Sequence, residues 1–270
     1  CTGFAPQIME RLYNSGHTTE ADDMLARILW WGEKLPVCRG LYNFDSLRDE
    51  YYRDREAGFE AFTGRNYLFR EGGAPAPRTG SAVVTVNGQP YGLYTTVEAA
   101  DNNTFLKTWF DGKDGNLYEG AYGTDLFADA VTSFDQDNGD NIDFMDIKAL
   151  VAALDAITDP ADFVAEVDKL IDLDLFLTFA ATEIYLGHWD GYAWTRNNYF
   201  IYRNPADLRW TWMPWGLDQT MVDYLDPFGG TGRITQMCDA SLECRMMLAE
   251  KFMEVVARVD ELGLASEAQT

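Results

Sequence analysis

The chain has 270 residues, 47% of them hydrophobic and 14% aromatic, which suits one large domain or two lobes sharing a cleft and excludes whole-chain disorder. Against 44 acidic residues stand only 21 basic ones, and the formal charge of -23 argues against nucleic acid or anionic lipid as a partner. No stretch reaches the roughly 18 apolar residues of a membrane span, so none is expected.

Residues 5–33 carry Ile8, Leu12, Met24, Leu25, Ile28 and Leu29 at helical spacing and predict one or two amphipathic helices. "FDSLRDEYYRDREAGFEAFTGRNYLFREGG" predicts a helix with Asp45 and Ser46 as N-cap candidates, a break near Gly64 and a stop at Gly72–Gly73. "GSAVVTVNGQPYGLYTTVE" is the clearest hairpin, two runs of period two around Asn87–Gly88. "AADNNTFLKTWF" then predicts a helix and "GNLYEGAYG" a strand with its turn. Helical spacing returns in "MDIKALVAALDAI" and "PADFVAEVDKLI", while "DLFLTFAATEIYLGHW" is almost wholly apolar, as a buried central helix should be. "NNYFIYR" and "LRWTWMPW" follow, joined by the turn sequence "NPAD", and "CRMMLAEKFMEVVARVDEL" closes the chain as an amphipathic helix. The predicted class is α+β.

Four cysteines stand at positions 1, 38, 238 and 244, without a C-x-x-C pair, so a zinc site is not expected. "CDASLEC" suits a small loop closed by Cys238 and Cys244, and Cys1 with Cys38 is a second candidate bridge; free buried thiols are the alternative. The even count favours an oxidising compartment. Opening at Cys1 without Met, the chain is expected to have a signal segment upstream.

"DQDNGDNIDFMD" places Asp135, Asp137, Asp143 and Asp146 at loop positions 1, 3, 9 and 12 and Ile142 at position 8, which makes Ca2+ a candidate ligand. Gly139–Asp140 is reversed relative to an EF-hand loop and the last position is Asp, so a solvated acidic linker is the alternative.

The chemistry concentrates between residues 188 and 221. A buried helix, a polar loop with Asp190, Asn197 and Asn198, a hairpin, and then Asp218 follow in that order. Protein-kinase-type phosphotransferases use the same order: a catalytic-loop Asp receives the substrate hydroxyl proton, an Asn downstream holds Mg2+, and an Asp after a hairpin bridges metal and phosphates. Carboxylate and amide oxygens are the hard ligands that Mg2+ requires. The spacing departs from that signature, since Asn197 lies seven residues after Asp190, and an Asp–Asn cluster capping strands is the plainer alternative. His188 beside Trp189 reads as packing, His17 lies in a polar stretch, and the tryptophans at 189, 194, 210, 212 and 215 read as core or cleft wall.

Several segments together resemble the CotH kinase family, the spore-coat-protein-H-like atypical kinases. They are "FREGGAPAPRT" with "VTVNGQPYGLYTTVEAADNNTFL", "DGNLYEG", "IDLDLFLTFAATEIYLGHWDGYAWTRNNYFIYRNP" and "MPWGLDQTM". The resemblance runs from about residue 40 to the end. It implies a bilobal kinase-like fold in one domain, with an N-terminal lobe over 1–125 and a helical lobe over 126–270. It also implies binding of ATP with Mg2+ or Mn2+ and phosphorylation of Ser or Thr hydroxyls on a protein substrate, at an extracellular or envelope location. By this resemblance Asp190 is the catalytic carboxylate, Asn197 or Asn198 and Asp218 hold the metal, and Glu98 sits near the nucleotide and orients a cationic side chain. Lys34, Arg39 and Lys107 are the candidates for the phosphate-binding cation. Two departures stand out: Gly216–Leu217–Asp218 has glycine where the family has a first Asp, and Leu117–Tyr118–Glu119 has Glu in place of Lys. A catalytically weak surface or coat binding module of the same fold is therefore the rival expectation.

Overall fold

The structure, a computed structural model, describes residues 65–140, 142–220 and 225–262. The helices expected before residue 65, the Cys1–Cys38 pair, His17, Lys34 and Arg39 lie outside the described residues.

A helical segment over 65–71 leads into β1 (Thr79–Val86) and β2 (Gln89–Val97), which form a two-stranded antiparallel sheet of their own. Asn87 and Gly88 both have positive φ, 53° and 76°, and this left-handed pair matches the right-handed twist of the flanking strands, so the hairpin forms where its turn residues demand it. Helix α1 (Asn103–Trp109) starts at Asn102, whose side chain accepts from the Thr104 N–H at 2.7 Å.

The main sheet has four strands in the order β4-β3-β5-β6, all neighbours antiparallel: β3 (Asn116–Gly120), β4 (Phe134–Asn138), β5 (Tyr199–Arg203) and β6 (Trp210–Pro214). It takes strands from both sides of residue 125. One face joins Leu117, Phe200, Tyr202 and Met213 to Phe105 and Leu106 of α1. The other joins Tyr118, Tyr199, Ile201, Trp210 and Trp212 to the main core. Burial on both faces is why β5 and β6 read as unbroken apolar runs and not as alternating ones.

Helices α2 (Met145–Asp155), α3 (Phe163–Val167) and α4 (Leu173–Leu186) come next, then a single turn, α5 (Tyr192–Thr195), before β5. Helix α4 is the axis of the core: Phe176 packs on Trp212 with ring centroids 5.2 Å apart, and Tyr192 meets Trp212 at 5.6 Å. After β6, α6 (Arg233–Ala240) and α7 (Leu242–Leu262) meet at a corner tied by the Cys238–Cys244 disulfide, as the spacing predicts. Among the described residues no helix is long and apolar enough to cross a membrane.

The acidic stretch begins in a strand. Residues 134–138 are not a loop but strand β4, drawn into the sheet by pairing with β3, where Asp135 stands opposite Glu119. Asp135, Asp137 and Asp143 are exposed. Asp146 is buried, its carboxylate accepting from Asn116 Nδ2 at 2.7 Å, Tyr118 OH at 2.9 Å and its neighbour's Ile147 N–H at 2.8 Å. No three acidic, histidine or cysteine side chains gather into a metal-holding group among the described residues.

Candidate functional site

Helix α4 ends at Gly187, whose left-handed backbone (φ 57°) lets the His188 N–H return to the Glu183 carbonyl at 3.0 Å. The chain then turns through Asp190 and Gly191 into α5. Glu183 is the one carboxylate buried in this otherwise apolar helix, and its side chain is 0% exposed. Its Oε1 accepts from the Tyr192 N–H at 3.3 Å and its Oε2 from the Ala193 N–H at 3.1 Å, so it caps the turn that follows Asp190. His188 Nδ1 lies 3.1 Å from Glu183 Oε1, while His188 Nε2 has no hydrogen-bond partner among the described residues. Gly191 permits this approach: a Cβ there would stand 2.1 Å from Glu183 Oε1. His188 is thus buried, as its reading as packing implies, but polar in its contacts.

From the opposite side the loop is braced by Asp125, which is fully buried. Asp125 accepts from the Arg233 N–H at 2.6 Å and from Tyr192 OH at 3.2 Å, and Tyr192 OH in turn accepts from the Ile234 N–H at 3.1 Å. Burial pushes the Asp125 carboxyl above its ordinary range, against the pull of the Arg233 and Leu126 N–H groups. The Thr231 and Gly232 N–H groups both reach the Ala193 carbonyl, at 2.6 and 3.0 Å, docking the start of α6 on α5.

Within this frame Asp190, half-buried, gathers its partners. Its Oδ1 accepts from Asn197 Nδ2 at 3.1 Å and Thr195 Oγ1 at 3.3 Å. Asn198 Nδ2 donates at 2.9 Å to both Asp190 Oδ2 and the Asp190 carbonyl. The backbone pays for this convergence with left-handed residues at Arg196 (φ 52°) and Asn198 (φ 49°), a conformation in which Asn is tolerated and Arg is not favoured.

The Trp215 N–H donates to the Asn198 carbonyl at 2.9 Å, which extends the β5–β6 ladder by one step and brings Gly216 against Asn198. Gly216 is itself left-handed (φ 50°), and a Cβ on it would stand 2.5 Å from Asn198 Oδ1. Two residues on, Asp218 is exposed, with Gln219 Nε2 at 3.3 Å from its Oδ2. Arg65 Nη1 donates to the intervening Leu217 carbonyl at 2.7 Å.

Glu98 stands just after the end of β2. It accepts from Arg78 Nε at 3.0 Å and from the Arg78 N–H at 3.2 Å, and Arg78 Nη2 completes a two-pronged ion pair. Burial raises the Glu98 carboxyl, but hydrogen bonds and charge from Arg78, helped by Arg70, outweigh it and hold the group below its ordinary value. The cationic partner of Glu98 is Arg78. Lys107 is exposed on α1. Glu119 faces β4, where burial and the charges of Asp137 and Asp135 push its carboxyl up.

The structure thus brings Asp190, Asn197 and Asn198 into one hydrogen-bonded cluster and sets the segment of Gly216 and Asp218 beside it. Glu183, Asp125 and Arg78 were not expected from sequence. For Glu183 the signal was there, a carboxylate in the apolar second half of the helix, far from the end where Asp174 is exposed, and such a group needs partners to be buried.

The oxygen-only donor set of carboxylates and amides fits a hard divalent cation such as Mg2+ or Mn2+. Asn197 and Asn198 turn their Nδ2 atoms to Asp190, which leaves their amide oxygens as the available donors.

Comparison with known proteins gives a consistent set of likenesses. The family described as CotH kinase protein matches residues 66–257, a span holding every residue of the cluster. The chain is similar to the invasin CotH2 of Rhizopus delemar, at 27% identity over 169 residues, which is 57% of this chain and 28% of that protein. Invasin CotH3 of the same fungus is 25% identical over 150 residues, 50% of this chain and 25% of that protein. The inner spore coat protein H of Bacillus subtilis is 24% identical over 164 residues, covering 57% of this chain and 44% of that protein. The matched segments thus span less than half the length of each of these relatives.

Proposed function

The chain belongs to the CotH kinase protein family, and from that premise we propose that it is an atypical kinase passing the γ-phosphate of ATP to a Ser or Thr hydroxyl of a protein substrate. The observation that carries this reading is the Asp190 cluster, a carboxylate held by three side-chain donors at the base of the β5–β6 hairpin. Asp190 receives the proton of the attacking hydroxyl as its oxygen bonds to the γ-phosphorus and the bond to the ADP oxygen breaks. Asp218 with Asn197 or Asn198 would hold Mg2+ or Mn2+, which supplies charge neutralisation on the phosphates when bound. The bracing by Glu183 and Asp125 keeps the Asp190 loop at a fixed height above α4, so that the rate comes mainly from positioning. Arg78, oriented by Glu98, joins Lys107 and Arg39 as a candidate for phosphate contact. The names of the relatives, invasin and spore coat protein, support a coat or envelope location.

The test is transfer of labelled γ-phosphate to an acceptor protein in the presence of Mg2+ or Mn2+. Transfer that depends on Asp190 is expected, and no transfer by the unaltered chain with either metal would sink the enzymatic reading.

A second reading has its own support. Glycine at 216 removes a carboxylate, and Glu119 puts negative charge where the family resemblance has lysine. On this reading the domain is a surface or coat binding module with a weakened or silent site. A melting point raised by ATP with Mn2+ supports the kinase reading, since a ligand of the native state alone must stabilise it; an unchanged one supports the module.

A further inference from the structure

Asn198 and Gly216 fit each other across the end of the hairpin. Asn198 is fixed at three points: its carbonyl by the Trp215 N–H, and its Nδ2 by the Asp190 carbonyl and carboxylate. With the nitrogen end committed to Asp190, the amide oxygen must point the other way, and it lies over Gly216. A Cβ at 216 would come within 2.5 Å of Oδ1, 2.6 Å of Cγ and 3.1 Å of Nδ2, so the amide lies along Gly216 with its oxygen nearest, and the first two approaches are closer than real Cβ contacts come. The neighbour that would have to yield is an amide pinned on both sides, not the loose end of a flexible chain. Both residues are left-handed, at φ 49° and 50°, so the two backbones face each other in a conformation that Asn and Gly accept and bulkier residues resist.

We propose that Gly216 is a positioning residue: its bare Cα leaves the space in which the Asn198 amide oxygen is presented as a metal ligand beside Asp218. This rests on the kinase reading of the site. The glycine is then not merely a lost carboxylate. It exchanges a charged oxygen at 216 for a neutral one from Asn198, and an alanine at 216 would displace that oxygen without contributing any ligand of its own.

The experiment titrates Mn2+ into the unaltered chain, Gly216→Ala, Asn198→Gly and the double variant. Free Mn2+ is read by electron paramagnetic resonance, and the metal-free unfolding of each is followed separately. Gly216→Ala is expected to weaken Mn2+ binding by about tenfold or more although alanine carries no ligand atom, the scale of a lost outer-sphere support. Asn198→Gly should lose the same factor, and the double variant should bind no more weakly than Asn198→Gly alone, because one interaction has been removed twice. Mn2+ affinity unchanged in Gly216→Ala, or losses that multiply in the double variant, would overturn the proposal. Asn198→Gly tolerates the positive φ, so if Gly216→Ala does not fold it decides alone: a tenfold loss supports the proposal and an unchanged affinity overturns it. No Mn2+ binding by the unaltered chain would instead overturn the metal reading of the site itself.

Discussion

Glu119 is where a single side chain most plainly works against the fold. It sits on β3 opposite Asp135, and burial together with Asp137 and Asp135 raises its carboxyl. A folded-state pKa above the unfolded one means that the native chain binds more protons between the two values, so stability falls as pH rises through that window and the deficit persists above it. Glu119→Gln should therefore raise the melting point at pH 7, by roughly 1–3 °C for a chain of this size. The gain should shrink as pH falls below the ordinary carboxylate range, and thermal unfolding at both pH values checks it. A variant that melts lower than the unaltered chain at pH 7 would contradict this reading of the acidic face. Asp137 has the same character, its carboxyl raised by burial and by the charges of Asp135 and Asp101. Gly216 and Asn198 teach a related lesson, since a glycine that looks like a deletion in sequence is the complement of a neighbour's amide in space.

At the scale of elements, the α6–α7 corner depends on a short covalent clamp. The Cys238–Cys244 bridge closes a loop of sequence separation 6. In the chain-entropy account a loop that short contributes roughly 2 kcal/mol, so replacing both cysteines by serine should lower stability by about that amount. Urea unfolding of the double serine variant measures it, and a loss near zero would show that the packing of α7 on α4 suffices. Both this bridge and the β1–β2 hairpin were legible in the sequence, because each is settled by residues a few positions apart: Asn87–Gly88 dictates its own turn, and two cysteines six apart need only a bend. Three strands of the four-stranded sheet were legible. β3 was expected with its turn and β5 and β6 announced themselves as apolar runs, but β4 was hidden, since its carboxylates resemble a calcium loop while its pairing with β3 is decided by residues about 14 to 21 positions away. In the site, the order of Asp190, Asn197, Asn198 and Asp218 could be read directly. The bracing by Glu183 and Asp125 could not, because it depends on the packing of α4, α5 and α6, which no local pattern encodes.

For the whole molecule, the formal charge of -23 is a repulsion distributed over the surface. Raising ionic strength from about 10 mM to about 150 mM shortens the Debye length from roughly 30 Å to about 8 Å. The melting point should rise over that interval by a few degrees, with NaCl and KCl equivalent; a fall would mean that attractive ion pairs outweigh the net repulsion. The same field sets a condition on catalysis. On the proposed kinase reading, a polyanionic nucleotide would approach this surface only where cations and a bound metal offset the charge, so that reading requires a metal at the Asp190 cluster and draws attention to the Arg78–Glu98 pair among 21 basic residues. The most direct measurement is the initial rate of γ-phosphate transfer by the unaltered chain and by Asp190→Ala, each at saturating ATP and Mn2+, with nucleotide affinity measured alongside. Loss of a positioned proton acceptor should cut the rate by about a hundredfold or more while nucleotide affinity stays within about threefold. Equal rates in the two proteins would contradict the assignment of Asp190 as the group that receives the hydroxyl proton.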